Sequence, residues 1–125
     1  MPGLATYPLI GIVGPCGAGK STLLMNLVQL GYSARHIAQE HSYTPDMWQR
    51  ITHPDLLIYL DVSFPNTIKR RSLDWTEDEY FEQLHRLRHA RQHADLYLDT
   101  NPLNPTQVLQ AVLAWLKEIL PHTRT

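Results

Sequence analysis

Leu9-Ile10-Gly11-Ile12-Val13-Gly14-Pro15-Cys16-Gly17-Ala18-Gly19-Lys20-Ser21-Thr22 decides the fold. Its first five residues are apolar or small with no polar alternation, as in a parallel strand covered on both faces. From Gly14 to Ser21 the chain then fits G-x-x-x-x-G-K-[ST] at every fixed position. Glycines at 14, 17 and 19 let backbone amides turn inward and approach an anion closely. Lys20 adds a mobile positive charge, Ser21 a hydroxyl suited to Mg²⁺, and a helix starting near Gly19 turns its positive end to the same point. A plain strand-to-helix turn needs neither Lys20 nor Ser21. Gly14, Pro15, Cys16, Gly17, Ala18, Gly19, Lys20, Ser21 and Thr22 are therefore the candidate phosphate-binding residues.

Downstream, Leu23, Leu24, Leu27 and Leu30 recur at helical spacing over residues 20–30, and Gly31 stops that helix. Residues 32–38 read as a weaker second strand with Gln39, Glu40 and His41 at its C-terminal end, the edge where open α/β sheets bind ligands. Thr44-Pro45-Asp46 predicts an N-cap and N1 proline for a short helix to Ile51, closed by Pro54. Residues 55–62, Asp-Leu-Leu-Ile-Tyr-Leu-Asp-Val, form the clearest strand in the chain, ending at Asp61. Ser63 and Pro65 start a helix carrying Lys69, Arg70 and Arg71. Thr76 and Glu79 form a capping box for a long helix to His93, with Tyr80, Leu84, Leu87, Arg91 and Ala94 near one face. Residues 95–99 are a fourth strand, and Asn104-Pro105-Thr106-Gln107 caps a last helix over 105–119 whose Val108, Val112, Trp115, Leu116 and Ile119 face inward. Alternating strands and helices predict an α/β fold, a three-layer sandwich on a mostly parallel sheet of about four strands.

A chain of 125 residues has room for one domain, so residues 1–125 are read as a single unit. A net charge of −1 argues against a general nucleic-acid or membrane-surface binder, because those work through a basic excess. Met1-Pro2-Gly3-Leu4-Ala5 has no positive leader region, no apolar run is long enough to span a bilayer, and the one cysteine allows no internal disulfide. The expected compartment is the cytoplasm.

Together these features resemble the P-loop kinases of small molecules, the group of adenylate kinase, shikimate kinase and the deoxynucleoside kinases. The likeness spans most of the chain, with the phosphate loop as its specific motif. Asp55-Leu-Leu-Ile-Tyr-Leu-Asp61-Val and the following helix to Arg70 look like the family's late strand and arginine-bearing helix. His89-Ala-Arg91-Gln-His-Ala-Asp95-Leu-Tyr-Leu-Asp99 looks like its lid-to-strand passage, which implies phosphate contacts for Arg88 and Arg91. The resemblance also implies an adenine site in the loop Thr100 to Leu103, with Asn101 and Pro102, ATP and Mg²⁺ as cofactors, and Glu40 either near the accepting hydroxyl or on Mg²⁺ through water. About 16 residues separate the second strand from Asp55, where the family has a further strand and a substrate segment; the chain is a trimmed version. Two alignments follow. If 55–62 is the family's late strand, which we favour, Asp61 is not the metal-side carboxylate; in the other, Asp61 sits beside Mg²⁺ with Ser21.

Two functions compete. The first is a kinase transferring the γ-phosphoryl group to a small molecule, nucleoside or nucleotide, with Lys20 and the arginines neutralising charge and Glu40 orienting the acceptor. The second is a slow or non-catalytic nucleotide switch whose 40–54 insert contacts a protein partner. A GTPase is disfavoured, since neither N-K-x-D nor D-x-x-G after an apolar strand is present. His85, His89 and His93 share a helix face, but with no cysteine or carboxylate converging they are expected to be solvated rather than metal-binding. Trp48, Trp75 and Trp115 read as packing or surface residues. Cys16 reads first as a filler at a variable loop position; its place near a helix N-terminus, which lowers a thiol's pKa, gives the second reading that its oxidation or alkylation blocks nucleotide binding, and alkylated protein that bound ATP as tightly as untreated protein would contradict that second reading.

Overall fold

The computed structural model describes residues 8–71 and 74–120; the leader reading at residues 1–5 lies outside them. In chain order the elements are β1 (Leu9–Val13), α1 (Lys20–Gln29), β2 (Ser33–His36), a 3₁₀ turn (Gln39–His41), α2 (Met47–Thr52), β3 (Leu56–Asp61), α3 (Phe64–Arg71), α4 (Glu77–Arg86), α5 (Arg88–His93), β4 (Leu96–Asp99) and α6 (Pro105–Ile119). The four strands form one all-parallel sheet in the order β2-β1-β3-β4. The two continuously apolar strands, β1 and β3, are the inner pair, and β1 pairs with β2 on one side and β3 on the other.

Strand alternation sorts the core into two layers. Ile10, Ile12, Ile58 and Leu60 project to one face, where Leu23 and Leu27 of α1 and Val108, Val112 and Leu116 of α6 cover them. Val13, Leu57 and Tyr59 project to the other, against Trp48 of α2 and Leu87 and Ala90 at and beyond the α4–α5 junction. Each fully buried aliphatic side chain here contributes roughly 1.5–3 kcal/mol. Helices thus lie on both faces of a parallel sheet, compatible with the expected three-layer sandwich. Among the described residues no helix is long and apolar enough to cross a membrane.

Local signals set most boundaries. Thr76 accepts from the Glu79 amide and Asn104 from the Gln107 amide, and in each case the N3 side chain reaches back to the cap's own N–H. Several expectations are corrected. α2 begins at Met47 with Asp46 at its N-cap, not at Pro45. The Thr44 carbonyl accepts from the Gln39 side chain and from the Met47 amide, so residues 42–46 form a turn rather than a first helical turn. The long helix to His93 breaks at Leu87, whose amide is shared between the Gln83 and Leu84 carbonyls. Leu30 and Ile119 are exposed at helix ends, beyond the reach of the sheet. The histidine face is not simply solvated: the Trp48 indole donates to His89 Nδ1 at 3.1 Å, and the rings of His89 and His93 stack at 4.2 Å.

At the end of β1 the chain passes so close to β3 that Gly14, at φ +154°, has no room for a side chain: a Cβ would lie 2.2 Å from the Leu60 carbonyl oxygen. Gly14→Ala is expected to destabilise the protein by at least about 2 kcal/mol, combining backbone strain with a backbone clash. Urea unfolding measures this, and an unchanged midpoint would contradict the close approach.

Candidate phosphate-binding cleft

The loop from Gly14 to Gly19 connects the C-terminal end of β1 to α1 and lines a cleft of about 540 Å³, within the range of small-ligand sites. Gly19, at φ 96°, is the N-cap of α1 and supplies no side-chain cap, so the first amides of the helix have no side-chain acceptor there. Gly19, Lys20, Ser21 and Thr22 form the cleft wall at this positive helix end. Gly17, at φ 88°, packs on the backbone of Thr67 in α3, which seats the loop on that helix.

Lys20 is 7% exposed and its ammonium donates to the Gly14 carbonyl and, at 2.7 Å, to Glu40 Oε2. Glu40 is 2% exposed, and its second oxygen, Oε1, is buried without a hydrogen-bond partner. The pair is a desolvated ion pair, costly to break because removal of either partner strands the other's charge. Glu40 owes its position to its neighbour. Buried Gln39 accepts from the Trp48 amide and donates to the carbonyls of Thr44 and Arg86, pinning the 3₁₀ turn to α2 and α4. His36 and His41 place Nε2 atoms 3.7 and 3.8 Å from Glu40 Oε2. Burial, and then the charge of Lys20, hold the His36 imidazole below its ordinary pKa.

Two other side chains support the loop. The Gln83 amide from α4 accepts from the Cys16 N–H at 3.0 Å and donates to the Cys16 sulfur at 3.2 Å. Arg70 from α3 donates to the Gly17 carbonyl and to both the hydroxyl and carbonyl of Thr100, tying the loop to the end of β4. Gln83 escaped sequence reasoning, although a polar residue on the Tyr80–Leu87 stripe of an amphipathic helix was a signal for it.

Other predicted site residues lie elsewhere. Asp61 has the same strand parity as Leu57 and Tyr59, so it shares their face of the sheet with Tyr97 of β4; it accepts from the Tyr97 hydroxyl and from the Val62 N–H. It does not line the cleft beside Ser21. Arg88 and Arg91 border a separate cavity with Tyr59, Leu84 and Gln92 on the α5 face. The Arg91 guanidinium lies 5.1 Å from the centre of the Tyr97 ring, and Arg88 donates to the His85 carbonyl. Asn101 accepts from the Ser63 amide and the Asn66 side chain, a structural latch, and both Asn101 and Pro102 are exposed. From that side the cleft is lined instead by Leu103, Pro105 and Val108, with Arg70 and Arg71 from α3.

Neither a protein-family model nor a curated protein matches this chain significantly. The residues and their geometry carry the functional reading.

Burial, then the hydrogen bond to the Asp61 carboxylate, push the Tyr97 phenol up to about 12 from an ordinary 10.0. A raised phenol stays protonated in the folded state while the unfolded chain ionises, so its contribution is intact below pH 10 and fades as pH rises towards 12. Ultraviolet titration of Asp61→Asn is expected to show one tyrosine ionising at lower pH than in the parent. An unchanged curve would contradict the Asp61–Tyr97 bond.

Proposed function

We propose that this protein binds a nucleoside triphosphate, ATP with Mg²⁺, in the cleft between the 14–22 loop and the 3₁₀ turn, as a trimmed member of the P-loop kinase group. One observation carries the reading: the G-x-x-x-x-G-K-S segment stands at a parallel strand's C-terminal end, opening a helix N-terminus with no side-chain cap, with its lysine buried at the cleft wall. The donor set fits the ligand. The uncapped amides at the start of α1 and Lys20 suit phosphate oxygens; the Ser21 hydroxyl and the unpartnered Glu40 oxygen suit the hydration shell of Mg²⁺.

The bound nucleotide would supply the transferable phosphoryl group and the metal its charge neutralisation. The chain's own residues do the rest. Lys20 leaves the Gly14 carbonyl and Glu40 to meet a terminal phosphate, a move that exchanges one buried partner for another. Glu40, released, faces the cleft to accept a proton from an acceptor hydroxyl or to orient it. Arg70 and Arg71, which line this cleft, are better placed than Arg88 and Arg91 to meet charge developing on the phosphoryl group.

The adaptor reading has an observation of its own. The 40–54 segment exposes Tyr43 and Ile51 at 83% and 73%, an apolar pair suited to a protein partner. In that case nucleotide occupancy, by drawing Lys20 from Glu40, would alter the turn that presents Tyr43.

Thermal unfolding with and without Mg²⁺ against ATP, ADP, GTP and CTP tests the site. ATP at 100 times its Kd is expected to add about 2.7 kcal/mol, a shift on the order of 10 °C for a domain of this size. Lys20→Ala is expected to lose that shift and, because Glu40 is left buried without its counter-charge, to cost the free protein about 3 kcal/mol. No shift with any nucleotide would sink the reading. Phosphate transfer to an acceptor in a radiolabel screen would separate the kinase from the adaptor.

A further inference from the structure

The mouth of the cleft adds a thiol and an imidazole to the Glu40 carboxylate, a donor set different in kind from the one assigned to the nucleotide. Cys16 of the loop, Glu40 and His41 bring a thiol sulfur, a carboxylate oxygen and an imidazole nitrogen within 4.8 Å of one another. These come from two separate parts of the chain, brought together because the loop after β1 and the turn after β2 meet at the same sheet edge. His36 adds a second imidazole, with its Nε2 3.7 Å from Glu40.

We propose that Cys16, Glu40 and His41 form a binding site for a thiophilic divalent transition metal of the Zn²⁺ class. A soft thiolate, an imidazole and one carboxylate are a zinc-type donor set, unlike the all-oxygen set that Mg²⁺ or Ca²⁺ requires. Glu40 gives the independent sign of a missing ligand. Its Oε2 is taken by Lys20, while Oε1 is buried and unpartnered on a residue only 2% exposed, an expensive arrangement unless a cation completes it. The imidazoles of His36 and His41 lie nearest Oε2, the oxygen that Lys20 holds, so a metal would take the carboxylate by Oε1 after a small turn of the Glu40 side chain or displace Lys20 from Oε2. Cys16 is prepared for the role. Its own amide N–H fixes the Gln83 side chain so that the NH₂ group points at the sulfur, which therefore accepts a hydrogen bond as a metal-bound thiolate does. His41 is exposed and free to turn inward, and movements of about an ångström close the three donors to the roughly 3.5 Å separations of tetrahedral Zn²⁺ ligands. Three protein ligands leave one position open, to water, to His36 or to an anion in the cleft.

This inference goes beyond the nucleotide reading and is tested without nucleotide. The full-length protein is titrated with Co²⁺, a spectroscopic stand-in for Zn²⁺. One equivalent is expected to produce a thiolate-to-cobalt charge-transfer band in the near ultraviolet, bleached by Zn²⁺. Cys16→Ser is expected to lose the band, and His41→Gln to bind at least about tenfold more weakly. His41 is a surface residue, so that variant decides the matter even if Cys16→Ser fails to fold. Absence of a thiolate band in the parent protein, as binding at the His85, His89 and His93 face alone would give, overturns the proposal. So does a His41→Gln protein with the parent's band and affinity.

Discussion

The ion pair between Lys20 and Glu40 is the contact on which the arrangement of the cleft depends. Both side chains are almost fully withdrawn from water, so each charge carries a desolvation cost of several kcal/mol that only the other can offset. The pair therefore acts as a constraint more than as a source of stability. It requires the start of α1 and the turn after β2 to sit side by side, and it fixes the width of the cleft between them. Everything that holds Glu40 in place follows from that requirement. Gln39 bonds to α2 and α4, Trp48 lies buried on Gln39, and Arg86 donates to the Glu40 carbonyl. A polar network at this depth is tolerable because nearly every member is satisfied; among the described residues the one buried side-chain atom left without a partner is Glu40 Oε1.

That constraint also explains how a short chain holds a loop rich in glycine. The loop has few side chains of its own to pack, so neighbouring elements clamp it from several directions. Gln83 of α4 takes the Cys16 amide and sulfur, Arg70 of α3 takes the Gly17 carbonyl, and Thr67 of α3 lies under Gly17. Arg70 extends the clamp to Thr100, which itself donates to the Asp61 carbonyl, so the ends of β1, β3 and β4 are joined at one edge of the sheet. The C-terminal edge is thus rigid where a ligand would be bound, and a preorganised site spends less binding free energy on ordering.

The two faces of the sheet differ in character. The buried core under α1 and α6 is aliphatic, built from Ile, Leu, Val and Ala18, with Tyr32 and Trp115 only partly buried against it. The other face carries aromatic and polar features: Tyr59 stacked on Tyr97, Arg91 over both rings, and the Trp48, His89 and His93 cluster. Tyr97 is an edge-strand residue, and its bond to Asp61 draws that carboxylate across the sheet to β4. This is why an aspartate at the end of an apolar strand, which in sequence has the pattern of a metal-side acid, lies apart from Ser21.

What the sequence determined by itself are the properties carried by local spacing. The apolar runs at 9–13 and 56–61, the helical stripes through Leu23 and Leu27 and through Val108, Val112 and Leu116, and the capping boxes at Thr76 and Asn104 each depend on residues a few positions apart. Steric and hydrogen-bonding preferences of the backbone are enough to read them. The loop from Gly14 to Ser21 belongs to the same class, since its chemistry lies in one unbroken segment. Tertiary structure alone decided which distant groups meet. The strand order put β2 directly beside β1 and so brought Glu40 to Lys20 and His41 to Cys16. It sent Arg88 and Arg91 to a different cavity from Arg70, although all are arginines on helices. It also placed Gln83 against Cys16, a pairing across 67 positions that no local pattern records. Burial of a charge or an amide is settled by the whole packing of the sheet and its two layers, because the cost of leaving such a group unpaired appears only once water has been excluded.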